Sequence, residues 1–542
     1  MVVAMTLNWV RPMAILGVAL SICACNACGL DKPDSSGDSR DSGGEDSGTP
    51  QDTDSAPHDS DTAPDDTSQE TGPGDTGGDS DTSEDSGFDT AAPVDVVLDE
   101  RAGKLIGEEA GDAEGEGART LAVAAGDMDG DGSPDVIVGM PGNTRGGEAA
   151  GSVYVVAAPG TGSTDLSLAG GIIEGQAGEN FGYATALGGD VNGDGYDDVL
   201  VGAPAFREGT GSYEGQAYLF SGPVVGEITT ASAAATLHGE MLNEYGDESL
   251  TGAAIASAGD VNGDGYDDVL VGAWGYNYAH GAAYLLPGPV DGSVELSSVA
   301  WRLLGPEDGS STVGTSLSGA GDMDGDGLDD VVISAPGYGG VAALLFTDID
   351  PTATPTIGDA SASFTSASGD ELAGWVSRGG TDINGDGYAD VLVSDAEAVG
   401  DGTYLGAVAV VYGPTLGSVD LSTVAPRIIG LSSTDGFSVD FASVGDMDGD
   451  GFADVVVGAP DPWPRGAGAV YLFRGPLSGN LDTRDAGIRF IGDGDDEAGW
   501  AISAAGDLDG DGLGDLLVGG PGDDDGGENA GAVWLVTSSI LF

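Results

Sequence analysis

Beyond residue 94 the sequence predicts an all-β fold, a seven-bladed β-propeller of four-stranded blades. Three observations carry this. A nine-residue pattern, Asp-x-Asp/Asn-Gly-Asp-Gly-x-x-Asp, begins at Asp127, Asp190, Asp260, Asp322, Asp382, Asp446 and Asp507, with spacings of 63, 70, 62, 60, 64 and 61 residues. Each copy runs into a strand-like sequence such as Asp198-Val-Leu-Val-Gly, Asp268-Val-Leu-Val-Gly or Asp454-Val-Val-Val-Gly. The 449 residues from 94 to 542 divide by seven into units of about 64, the size of a four-stranded antiparallel blade.

Within the second unit the strands read as Phe181 to Leu187, Asp198 to Gly202, Gly215 to Ser221 and Ala235 to Gly239, with turn residues between them. The last unit stops at a third strand, Gly531-Ala-Val-Trp-Leu-Val, followed by a short tail. A spare fourth-strand sequence precedes the first loop: Gly103-Lys-Leu-Ile-Gly-Glu108 matches Gly171-Ile-Ile-Glu-Gly175. The N-terminal strand is therefore expected to complete the seventh blade and remove an open edge.

The repeated loop has the composition of a cation site. A hard ion such as Ca²⁺ takes six to eight oxygens at about 2.3–2.6 Å, and a tight loop aims alternate side chains inward. Positions one, three, five and nine supply four ligands per copy: Asp127, Asp129, Asp131 and Asp135; Asp190, Asn192, Asp194 and Asp198; Asp260, Asn262, Asp264 and Asp268; Asp322, Asp324, Asp326 and Asp330; Asp382, Asn384, Asp386 and Asp390; Asp446, Asp448, Asp450 and Asp454; Asp507, Asp509, Asp511 and Asp515. Position seven adds its carbonyl, and the glycines at four and six let the backbone turn. About seven Ca²⁺ are expected; Mg²⁺ suits the loop less because it prefers rigid octahedral geometry and keeps its waters. An EF-hand is excluded, because position twelve, where that loop needs Glu, holds Val201, Val271 or Val457 inside a strand.

These residues carry a family resemblance. Phe181-Gly182, the loop at Asp190, Gly202-Ala203-Pro204 and Gly215-Gln-Ala-Tyr218 resemble the FG-GAP repeat of integrin alpha-subunit propellers. Elsewhere the pieces drift, to Thr251-Gly252, Val313-Gly314, Gly272-Ala273-Trp274 and Ser394-Asp395-Ala396. The resemblance spans 94–542 and implies seven blades and a role in extracellular recognition, with no ligand named.

Antiparallel connectivity sends the loops joining strands two to three and four to one to the face opposite the cation loops. There the sequence concentrates Phe206, Arg207, Trp274, Tyr276, Tyr278, His280, Trp463 and Arg465, a set suited to anchoring a protein or glycan ligand. Packing within their own loops is the alternative.

The N-terminus reads as an export signal over residues 1–24, with Arg11 preceding an apolar stretch from Pro12 to Ala24. Ile22-Cys23-Ala24-Cys25 resembles a bacterial lipoprotein processing site, which places a lipid on Cys25; Cys28 fits less well, and cleavage without lipid is the alternative. Residues 25–93 form the anchor site and a linker. From Asp31 to Pro93, 19 acids face only Lys32 and Arg40, and Phe88 is the one large apolar residue, so this stretch is expected to stay disordered and extended.

Over the whole chain 92 Asp and Glu stand against 15 Lys and Arg, a net charge of -77, which excludes nucleic acid and anionic lipid headgroups as partners. The expectation is a non-catalytic recognition or adhesion module, at the outer membrane or cell surface when lipidated and secreted otherwise. A glycan hydrolase or lyase, and a purely structural envelope component, remain alternatives. The enzyme reading finds only His58, His238 and His280, no Gly-x-Ser-x-Gly and no His-rich zinc site.

Overall fold

The computed structural model describes residues 93–541 except 116–117, 120, 161, 208–212, 241–247, 307–310, 339, 367–372, 399–403, 433–435 and 461–465. The expected signal segment, lipidated cysteine and linker lie outside the described residues.

The described residues form seven sheets whose first four strands run antiparallel, together with one two-stranded ribbon, Glu114–Gly115 with Ala118–Arg119. In the second, strands Ala184–Gly189, Asp198–Ala203, Gln216–Phe220 and Ala235–His238 follow one another outward, within a few residues of the predicted bounds. The inner strands of all seven sheets surround a central channel of about 690 Å³. They consist largely of Ala, Gly and Ser, such as Ala122–Gly126 and Ala501–Gly506, because converging inner strands leave no room for larger side chains. The middle strands, by contrast, are buried on both faces. Asp198–Ala203 and Gln216–Phe220 have no exposed residue, which explains runs such as Val-Leu-Val that do not alternate.

The apolar core is accordingly not central. Seven clusters lie between neighbouring blades; one joins Leu200, Leu219 and Leu237 of the second to Val271, Tyr284 and Leu296 of the third. Burying apolar area at about 25 cal/mol per Å² across each junction makes every blade depend on its neighbours.

Closure follows the sequence expectation. Gly103–Ile106 pairs antiparallel with Ala532–Val536 as the fourth strand of the last blade. A feature not foreseen is a fifth strand. In most blades the outermost strand also pairs in parallel with the connection from the next blade, as Gly171–Glu174 does with Gly226–Thr229. The sixth blade takes its fifth strand from Val94–Val97, which pairs with Ile488–Ile491, so the segment from 94 to 106 serves two blades in succession. Among the described residues the third sheet has four strands only.

Candidate metal centres and ligand face

All seven aspartate loops join the first strand of a blade to its second, on one face of the ring. Their geometry is nearly identical. The first Asp accepts amide hydrogens from position four at 2.6–2.8 Å and from position six at 2.8–2.9 Å. The fifth Asp accepts the amide of position seven in every copy. These bonds coil the loop inward. They require positive φ at the two glycines, +74° and +87° at Gly130 and Gly132, where a Cβ would be strained.

The ninth Asp is the buried floor of each loop. Asp135 is typical: one oxygen accepts the amide of Met128 at 3.0 Å, the other that of Ala158 at 3.1 Å beyond the third strand. Burial, followed by the neighbouring loop acids, pushes Asp198, Asp268, Asp390, Asp454 and Asp515 up to about 6 and Asp330 up to about 7, against the amide hydrogen bonds that pull the other way. Asp135 moves upward for the same reason.

In four copies three carboxylate oxygens lie within 4.8 Å of one another: Asp127, Asp129 and Asp135; Asp322, Asp324 and Asp330; Asp446, Asp448 and Asp454; Asp507, Asp509 and Asp511. These are the copies with Asp at position three. In two of the three copies with Asn there, the side-chain amide donates to the ninth Asp: Asn192 Nδ2 to both oxygens of Asp198, at 3.0 and 3.1 Å, and Asn262 likewise to Asp268, whereas Asn384 Nδ2 donates to Asp386. An all-oxygen donor set of this density suits a hard divalent cation. One loop has its own counter-ion, since Arg474 Nε lies 3.3 Å from Asp448.

Sequence comparison agrees with the geometry. Stretches at residues 120–156, 181–220, 251–286, 313–345, 440–473 and 498–536 match the FG-GAP repeat. Six of the seven blades thus resemble the FG-GAP repeat in sequence. The matched stretches leave out the unit around Asp382, which contains the drifted Ser394-Asp395-Ala396. Similar proteins include Integrin alpha-PS2 of Drosophila melanogaster, 34% identical over 221 residues covering 39% of this chain and 15% of that protein. Integrin alpha pat-2 of Caenorhabditis elegans is 32% identical over 233 residues, 41% of this chain and 18% of the relative. Integrin alpha-IIb of Mus musculus is 37% identical over 168 residues, 30% of this chain and 15% of the relative. The chain thus spans under a fifth of the length of these relatives.

On the opposite face the predicted aromatic set divides. Trp274 and Tyr276 are 8% and 7% exposed, and so are packed rather than presented. Trp274 lines the channel; the Tyr276 hydroxyl donates to Glu240, which also receives Tyr284 and Arg302. Phe206 is half-buried, and the Arg207 guanidinium stacks 3.3 Å from the ring centroid of Tyr213. His280 is held near Asn277, with 3.3 Å between Nδ1 and Nδ2. Tyr278 alone among the described aromatics of this set is open, at 66%, carried by three successive left-handed residues, Asn277, Tyr278 and Ala279. Trp463 and Arg465 lie outside the described residues.

The structure adds three aromatics that motif reading missed. Tyr183, Trp375 and Trp500 stand immediately before or near the start of inner strands and line the channel at its end away from the cation loops. They occupy one position of the repeat, just after Phe181-Gly182, Ala373-Gly374 and Ala498-Gly499, and aligning the units would have exposed them. Deeper in the channel, Arg378 Nη2 bonds Asp440 Oδ1 at 2.8 Å, while Asp440 Oδ2 accepts the amide of Ile502 at 2.9 Å, joining blades five, six and seven.

Proposed function

We propose that the chain is a calcium-stabilised, non-catalytic recognition propeller acting outside the cell, held to the envelope by a lipid on Cys25 and the acidic linker of residues 25–93. The observation that carries the calcium reading is the convergence of carboxylate oxygens within 4.8 Å in four of the loops. Asp127 and its counterparts, with the third, fifth and ninth residues of each loop, would hold the ions. A bound ion supplies positive charge that cancels the mutual repulsion of the loop acids. The recognition reading rests on the FG-GAP repeat matches and on the integrin relatives, whose likeness covers 41% and 39% of this chain.

The ligand, an extracellular protein or glycan, docks on the face away from the cation loops, around the channel mouth where Tyr183, Trp375 and Trp500 line the wall, with Tyr278 exposed on the loop joining the second and third strands of blade three. Aromatic side chains offer large contact area at small entropy cost, which suits them to this role. Thermal unfolding in EDTA, in millimolar Ca²⁺ and in Na⁺ at matched ionic strength tests the first part: a melting temperature that is the same in all three refutes it. A combined protein and glycan array, read for both binding and turnover, tests the second; substrate turnover would replace the binding module with an enzyme. Mass spectrometry of the mature N-terminus should find acylated Cys25.

A further inference from the structure

The eighth residue of the cation loop lies outside the ligand set, yet in three copies it is also an acid: Asp197, Asp267 and Asp329. Each reaches back to the preceding blade. Asp197 Oδ2 accepts the amide of Asp127 at 3.1 Å, Asp267 Oδ2 that of Asp190 at 2.7 Å, and Asp329 Oδ2 that of Asp260 at 3.0 Å. The backbone returns the bond, with the amides of Asp197, Asp267 and Asp329 donating to the carbonyls of the same three residues at 3.3, 3.3 and 3.4 Å. The first ligand of one loop is thus clamped on both sides by the next loop. The approach is close enough that Gly189 and Gly259, just before the clamped residues, could carry no Cβ without striking the incoming carboxylates of Asp267 and Asp329.

The other four junctions lack this carboxylate. Ala389 and Gly514 keep only the backbone bond, to Asp322 and Asp446; Ala453 has no side-chain acceptor; Pro134 has neither acceptor nor amide hydrogen. The clamps therefore run continuously across the loops of blades one to four and nowhere else among the seven.

We infer that Asp197, Asp267 and Asp329 are positioning residues which transmit cation-induced ordering from each loop to the loop before it, so that the sites at Asp127, Asp190, Asp260 and Asp322 fill as a coupled set. This rests on the calcium reading above. A cation taken up by the ligands Asp264 and Asp268 fixes the backbone between them, which includes Asp267. That in turn fixes the peptide plane from which the Asp190 carboxylate projects. Ordering paid at one loop lowers the entropy cost at the next, which is positive coupling without any shared ligand.

Hydrogen exchange with mass spectrometry, carried out on the full chain through a calcium titration, reads each loop separately. Asp267→Ala should move the midpoint for peptide 190–198 to about fivefold higher calcium, the lower end of ordinary coupling, while peptide 446–454 stays in place. Asp267→Asn retains an acceptor oxygen and should largely restore the midpoint. Ala389→Asp installs the missing clamp, at a junction where a Cβ on Gly321 would lie 2.9 Å from Cβ of Ala389, much as one on Gly259 would lie 2.8 Å from Cβ of Asp329; peptide 322–330 should then fill at lower calcium. Unchanged midpoints in all three variants, or equal shifts in all seven loops, overturn the coupling. Absence of calcium protection anywhere in the unsubstituted protein overturns the calcium reading and the coupling together.

Discussion

Calcium entry should expel protons, and the number can be worked out from the loop floors. Burial raises Asp198, Asp268, Asp390, Asp454 and Asp515 to about 6 and Asp330 to about 7, so the calcium-free fold holds these carboxyls protonated well above the ordinary range. A group is half protonated at its pKa; at pH 6 five loops each hold about half a proton and the loop at Asp330 nearly a whole one. Filling the loops at pH 6 should therefore release about three protons per molecule, and at pH 8 almost none. The apparent affinity for calcium should climb with pH between 5 and 7 and then level. The stability of the calcium-free protein runs the other way: with folded pKa values raised above unfolded ones, the contribution of these groups is present below about pH 4 and lost as pH rises through 6 to 7. Titration calorimetry in two buffers of different ionisation enthalpy measures the protons directly. Buffer-independent heats at pH 6 would show that the ninth aspartates are already ionised, or that the cation does not meet them, and the reasoning would fail.

Further expectations follow from single side chains. Trp274→Ala should lower stability by about 3 kcal/mol or more, the usual cost of deleting a buried indole, when measured by denaturant unfolding; a loss below about 1 kcal/mol would mean that the loop presents this residue rather than packs it. Lys104 is 5% exposed and pairs with Asp99, Asp523 and Asp525 over the ring of Trp534, so Lys104→Met leaves three acids without their cation and should cost about 3–5 kcal/mol by the same assay. Arg474 is 47% exposed and its ion pair with Asp448 is screened; Arg474→Ala should tighten calcium at the Asp446 loop by no more than about fivefold, seen as an earlier midpoint for peptide 446–454.

The legible parts of the sequence were the self-contained ones. An aspartate loop is built from nine consecutive residues, and its glycines and aspartates carry their reasons with them. The closing strand was legible because Gly103-Lys-Leu-Ile repeats Gly171-Ile-Ile, a likeness that survives any tertiary context. The fifth strands were not, because Gly226–Thr229 is largely exposed and is ordered by hydrogen bonding to a different blade rather than by a pattern of its own. Whether Trp274 and Tyr276 are packed or presented was not legible, for a related reason. A loop aromatic reads the same whether its surroundings are solvent or a neighbour, and what covers Tyr276 is an apolar cluster shared between blades two and three together with Glu240, part of it, such as Leu200, Leu219 and Leu237, far away in sequence. The clamps of Asp197, Asp267 and Asp329 were hidden in plain view, since an eighth aspartate beside a ninth looks like redundancy until the ring places it against another loop.

The double duty of the segment from 94 to 106 bears on how these molecules behave in company. It fills a slot two strands wide, the outer edge of blade six and then the outer strand of blade seven, and nothing in that pairing requires donor and slot to belong to the same molecule. A molecule whose segment comes loose offers a vacant slot and a free arm complementary to it. Because arm and slot are different surfaces, exchange is head to tail, and each added molecule renews both ends of the assembly. Such chains grow until they meet their own beginning or until a self-closed ring outcompetes them. The hydrogen bonds that lock a single ring therefore also set the barrier to polymerisation, and Lys104, seated within this segment among the acids of blade seven, is where that barrier would first be lowered.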